Sequence, residues 1–166
     1  WDHFIYLNTT ATATDSNSQW NDIAPSSTLV TLGDDTRCNT NDENYIMYSF
    51  DEIEGYSKFG NYEGNSNIDG PFVYTGFRPA FIILRYIDGA DFWFMFDSKR
   101  PGYNMTDDSL TANENYTENS ASAGQQDIDI LSNGFKITDA GGGNNSSGTY
   151  LYIAFAESPF KYANAR

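Results

Sequence analysis

Phe81-Ile82-Ile83-Leu84 and, a few residues later, Phe92-Trp93-Phe94-Met95-Phe96 decide the fold class. Both runs are apolar at every position, without the one-sided periodicity of a surface helix. Each reads as a central strand buried on both faces. Outward from this pair, strands are predicted at 4–7, 29–32, 45–52, 72–75, 80–87, 92–97, 128–131, 135–138 and 150–156. Clusters of Asn, Asp, Ser, Thr and Gly separate them, which is turn chemistry. The run Gly141-Gly142-Gly143-Asn144-Asn145-Ser146-Ser147-Gly148 is expected to be a flexible turn. The fold class that follows is all-β: an antiparallel, jelly-roll-like β-sandwich built from two related halves, with few or no helices.

The two halves come from an internal repeat. At an offset of 105 positions, Asp2 falls on Asp107, Asn8 on Asn113, and Asp22-Ile23 on Asp127-Ile128. Asp34 falls on Asp139, Asn39 on Asn144, and Tyr45, Phe50 and Glu52 on Tyr150, Phe155 and Glu157. The apolar pairs Val30/Phe135 and Leu32/Ile137 keep the same phase. Residues 45–52 and 150–157 therefore look like one strand used twice. Only the second copy is preceded by the two most apolar strands. The organisation expected is an incomplete first β-repeat at 1–54, a linking segment at 55–71 and a complete repeat at 72–166. Three arrangements would complete the first half: strands further upstream, one fused sandwich sharing the central pair, or a strand donated by another subunit. Trp1 in place of Met is read as the mark of a processed product or a fragment.

Composition narrows the function. The 166 residues carry a net charge of −14 and a pI near 4.1, which disfavours nucleic acid and anionic membranes as partners. No stretch approaches the roughly 18 apolar residues of a membrane span, and no signal peptide is visible. Aromatic residues make up 16% of the chain, enough for a substantial β core. The single cysteine, Cys38, permits no intrachain disulfide; it reads as a loop thiol or, less simply, an interchain bridge.

Candidate chemistry is sparse. Glycan cleavage needs two facing carboxylates; Asp51 with Glu52, Asp91 with Asp97, and Asp127 with Asp129 are available, but a solvated strand face in a chain with 23 acidic residues is the favoured explanation. His3 is the one histidine and lies near the N-terminus, so no Ser-His or Cys-His pair is predicted. The protein is read as non-enzymatic and without a cofactor. No metal site is assigned, with Asp34, Asp35 and Asp42, beside Asn41 and Glu43, as weak Ca²⁺ candidates. Trp20, Tyr56, Tyr62 and Tyr103 are candidates for stacking on sugars or for an interface. Arg78, Lys99 and Arg100, with Lys58, stand out as cations that could meet acidic neighbours. Asn8, Asn104, Asn115, Asn144 and Asn145 fit the glycosylation pattern.

Several segments resemble a known family. They are Tyr6-Leu7-Asn8-Thr9-Thr10-Ala11, Trp20-Asn21-Asp22-Ile23-Ala24-Pro25 and Gly55-Tyr56-Ser57-Lys58-Phe59-Gly60-Asn61-Tyr62. To these add Asp69-Gly70-Pro71-Phe72-Val73-Tyr74-Thr75-Gly76-Phe77-Arg78-Pro79-Ala80, Leu131-Ser132-Asn133-Gly134-Phe135-Lys136 and the C-terminal stretch from Ala154. Together they resemble a β-rich domain family of unassigned function found in tail-fibre-like and other virion proteins of phages of aquatic bacteria. At Ser49 and Asp51 this chain departs from the Cys and Ala usual there. The resemblance implies a virion or extracellular location and a role without an active site. The leading expectation is a self-assembling module of a phage appendage serving host attachment, whose partners are copies of itself and a host-surface glycan. A subunit of an extracellular bacterial filament and a carbohydrate-binding module are the alternatives.

Overall fold

A computed structural model describes residues 2–100, 104–118 and 126–158. The chain divides into two compact units. One comprises Trp1–Tyr6 and Ala13–Phe50; the other comprises Leu7–Thr12 and Asp51–Arg166.

The first unit has little regular structure. Strands β1 (His3–Phe4) and β2 (Thr14–Asp15) pair antiparallel, with His3 opposite Asp15. One helical turn, α1 (Asn17–Trp20), follows. Ser16 caps it by accepting a hydrogen bond from the Ser18 N–H at 3.2 Å, and Asn21 closes it in the left-handed region at φ 52°. Asp35 ties the next loop down: its carboxylate accepts from Gln19 Nε2 at 2.7 Å, and from Arg37 Nη2 at 2.6 Å and Nε at 2.8 Å.

The second unit is an antiparallel β-sandwich. Its strands are β3 (Ser57–Gly64), β4 (Phe72–Tyr74), β5 (Pro79–Tyr86), β6 (Trp93–Asp97), β7 (Leu110–Thr111), β8 (Ile128–Leu131), β9 (Gly134–Ile137) and β10 (Gly148–Ala156), with the helical turn α2 (Gly142–Asn145) before β10. Five strands form one sheet in the order β3-β10-β5-β6-β7, and three form the other in the order β4-β9-β8. Alternate residues face inward, as the two-residue period of a strand requires. Tyr62, Ile82, Leu84, Phe94, Phe96, Tyr150, Tyr152 and Ala154 line the larger sheet's inner face. Val73, Ile128, Ile130, Phe135 and Ile137 cover them from the smaller sheet. Each large side chain buried there contributes on the order of 1.5–3 kcal/mol.

The runs apolar on both faces behave as predicted: β5 lies between β10 and β6, and β6 between β5 and β7. The outer face of β5 carries the fully buried Arg85, whose Nη2 donates to the Ala11 carbonyl of the crossing Leu7–Thr12 segment at 2.5 Å.

Several expectations need correcting. The supposed linking segment 55–71 contains β3, an eight-residue strand paired along its length with β10. The strands expected at 29–32 and 45–52 do not form. Their repeat counterparts do, as β9 and β10, because β4, β8, β3 and β5 flank them; the first copy has no such neighbours. The glycine-rich stretch is not a loose turn either: it holds α2, with Asn144 and Asn145 fully buried.

Candidate interaction surface

Residues 45–50, Tyr-Ile-Met-Tyr-Ser-Phe, have the composition of a core strand but lie open. Ile46 is 81% exposed, Tyr48 79% and Phe50 70%, and no described strand pairs with them. One end is anchored. The Tyr45 hydroxyl donates to the Thr36 carbonyl at 2.9 Å and accepts from the Thr40 N–H at 3.0 Å. At the other end the Ser57 hydroxyl donates to the Asp51 carbonyl at 2.7 Å, and Lys58 Nζ donates to Glu52 at 2.6 Å. The chain then reverses through a turn closed by the Tyr56 N–H on the Ile53 carbonyl at 2.9 Å, with Gly55 at φ 77°.

Beside this segment the first unit holds a cavity of about 260 Å³, lined among others by His3, Trp20, Thr31, Met47, Tyr48 and Ser49. It is an apolar, aromatic space with a few hydroxyls and one imidazole at its wall. The His3 Nδ1–H donates to the Asp2 carboxylate at 2.7 Å.

The sequence-derived candidates scatter. Of the four aromatics, Trp20 lines the cavity. Tyr62 is instead a core residue, stacked on Tyr150 and donating to the Asn144 carbonyl at 2.7 Å. Tyr56 packs on Phe155 at 6.0 Å, and Tyr103 lies outside the described residues. Besides Lys58, two of the candidate cations are engaged within the chain. Lys99 pairs with Glu157 at 2.8 Å, and Arg100 pairs with Asp97 at 2.5 Å and with Glu118. Arg78 is exposed.

Asn144 and Asn145 cannot serve as glycosylation acceptors in the folded chain. Both are buried, and the Asn145 amide nitrogen donates to the Asn67 carbonyl at 2.8 Å and the Asp139 carbonyl at 2.5 Å. The Asn104 side chain bonds both backbone groups of Ile130. Asn8 and Asn115 are exposed.

The proposed Ca²⁺ loop is not built as a metal cage. Asp35 is saturated by Gln19 and Arg37, and Asp42 accepts from Asn41 at 2.6 Å. Cys38 is half-buried, its thiol directed at the Asp35 carbonyl at 3.5 Å. Burial, then the neighbouring Asp35 charge, push that thiol up and keep it protonated.

The carboxylate pairs divide as well. Asp127 is buried rather than solvated, while Asp129 is only half-buried. Burial pushes the Asp91 carboxyl up. For Asp97, burial acts upward, but the Arg100 guanidinium and the Arg100 and Lys99 N–H groups outweigh it and bring the carboxyl down. Sequence reading missed the Asp35–Arg37–Gln19 clamp; its only signal was a cation two residues from an acid in a loop.

No helix among the described residues is long and apolar enough to cross a membrane. No curated protein and no solved structure matches the chain. A family model does match, over residues 1–159, and the chain belongs to the family described as Domain of unknown function (DUF7483).

Proposed function

We propose that this chain is a non-enzymatic, self-assembling structural module of a phage virion appendage, such as a tail fibre, serving host-surface attachment. The observation that carries the self-assembly is the segment at 45–50. It is uncharged, free of Pro and Gly and exposed at every position. Exposed apolar segments of this chemistry are templates for pairing with another chain. The same segment of a second copy fits it antiparallel. Ile46 then lies opposite Phe50 and Tyr48 opposite its own counterpart, while the acids Asp51 and Glu52 avoid one another. The phage context rests on the resemblance of the sequence segments alone.

Sedimentation velocity across a concentration series, with electron microscopy alongside, tests this reading. Wild type assembles, and Tyr48→Lys, which brings two like charges together, shifts it to monomer. A wild type that stays monomeric at every concentration overturns self-assembly.

A carbohydrate-binding module is the second reading, favoured by the cavity that Trp20 lines. Saturable binding on a glycan array that Trp20→Ala abolishes would support it.

A further inference from the structure

Four buried oxygen atoms have no hydrogen-bond partner among the described residues: Asp127 Oδ1, Thr138 Oγ1, Asp139 Oδ2 and Asn144 Oδ1. Their residues come from three places, namely the approach to β8, the chain just after β9, and α2. The backbone holds them together. The Thr138 N–H donates to the Asp127 carbonyl at 3.0 Å, and Asn144 Nδ2 donates to the same carbonyl at 3.4 Å. The Gly141 N–H donates to the other oxygen of Asp139 at 3.3 Å, and Asn145 Nδ2 to the Asp139 carbonyl at 2.5 Å. Asp127 is 7% exposed and Asn144 0%.

This is an unusual accumulation. Native proteins leave few buried polar atoms unpaired, and each one is costly. All four can accept and only the Thr138 hydroxyl can also donate, so a positive ion would satisfy them together. Two belong to carboxylates, and burying carboxylate charge without compensation is more costly still.

We propose that Asp127, Thr138, Asp139 and Asn144 form a calcium site. All four donors are hard oxygens: two carboxylates, an amide carbonyl and a hydroxyl, with no sulfur or imidazole nitrogen. That set suits Ca²⁺, which accepts six to eight oxygens in a flexible geometry with water completing the shell. Mg²⁺ demands shorter, near-octahedral bonds and gives up its own water reluctantly. Bound calcium cross-links the start of β8, the end of β9 and the turn that launches β10. The site therefore locks the three-stranded sheet to β10, which lies between β3 and β5 in the other sheet. The loop at Asp34, Asp35 and Asp42 plays no part in it.

The test uses the full chain, stripped with EDTA and exchanged into buffer with 150 mM KCl. Calorimetric titration with CaCl₂ is expected to give one saturable ion per chain. Calcium at a hundred times its Kd is expected to raise the melting temperature by about 5–10 °C. Asp127→Asn and Asp139→Asn each remove that rise and weaken binding by at least roughly tenfold (about 1.4 kcal/mol). Without calcium both variants melt at or above wild type, since an uncompensated buried carboxylate is gone, and that readout shows that they fold. Asp34→Asn leaves the titration unchanged. Three results would overturn the proposal: no saturable heat with wild type, binding that survives both variants, or an equal response to MgCl₂.

Discussion

Tyr62 on β3 and Tyr150 on β10 lie opposite each other in the ladder, their rings stacked 5.1 Å apart and 9° from parallel. Tyr86 leans on Tyr150 from the other side at 5.0 Å, so three neighbouring strands meet through their rings. Burial pushes the Tyr150 hydroxyl up to about 12. Tyr62→Ala leaves a ring-sized hole beside Tyr150 and is expected to cost about 3–5 kcal/mol. Tyr62→Phe keeps the stack and loses only the bond to the Asn144 carbonyl, costing roughly 1–2 kcal/mol. Urea midpoints of the two variants separate the contributions.

Arg85 predicts an opposite sign. Its guanidinium is fully buried and lies over the Trp93 ring at 5.8 Å, while Nε and Nη1 find no hydrogen-bond partner among the described residues. Burial disfavours its charge. An apolar side chain of similar length removes that unmet demand, so Arg85→Met is expected to be neutral or stabilising by up to about 2 kcal/mol. The same change frees the Ala11 carbonyl, and the Leu7–Thr12 segment loses protection in hydrogen exchange. A loss of several kcal/mol in the thermal unfolding of Arg85→Met would contradict this account.

Asp97 supplies the pH dependence. Its carboxyl titrates below the ordinary range in the folded chain, held there by Arg100 against the effect of burial. A depressed folded value means that the stabilisation is complete above the unfolded value of about 3.9 and disappears as pH falls through the folded one. The stability difference between wild type and Asp97→Asn should stay constant from pH 7 to about pH 5 and shrink below pH 4. Chemical denaturation at a series of pH values measures it.

Gly134 begins β9 opposite Tyr74, and a methyl group there would run into the Val73 carbonyl and the Phe72 ring. Backbone cannot step aside as a side-chain tip can. Gly134→Ala is expected to cost about 1–3 kcal/mol and to loosen the β4–β9 pairing. Its melting temperature and the exchange rates of the Phe72 and Tyr74 amides report the two effects.

The larger sheet's most apolar strands were legible from composition, as were β8, β9 and β10, because their side chains alternate or run apolar as buried strands do. The sequence Ser-Lys-Phe-Gly-Asn-Tyr-Glu-Gly of β3 was not. Two glycines and two charges have poor strand propensity, and only the ladder with β10 makes it one. Residues 45–52 failed in the reverse direction, since good strand chemistry makes no strand without neighbours. The unpaired oxygens around Asp127 were invisible for a related reason. Their residues are spread over 18 positions, 127 through 144, and only the return of the chain through β9 brings them together.

β10 is the last strand of the described chain and lies between β3 and β5 in its sheet. During synthesis, β3 and the β5–β6 hairpin therefore emerge without the partner that separates them. They must wait for about 60–90 further residues, which at roughly 5–20 residues per second is several seconds. Through that interval the inner edges of both strands stand unoccupied. Quality-control factors that bind nascent chains would meet this protein open between β3 and β5, and the sandwich closes only when β10 slides into the gap.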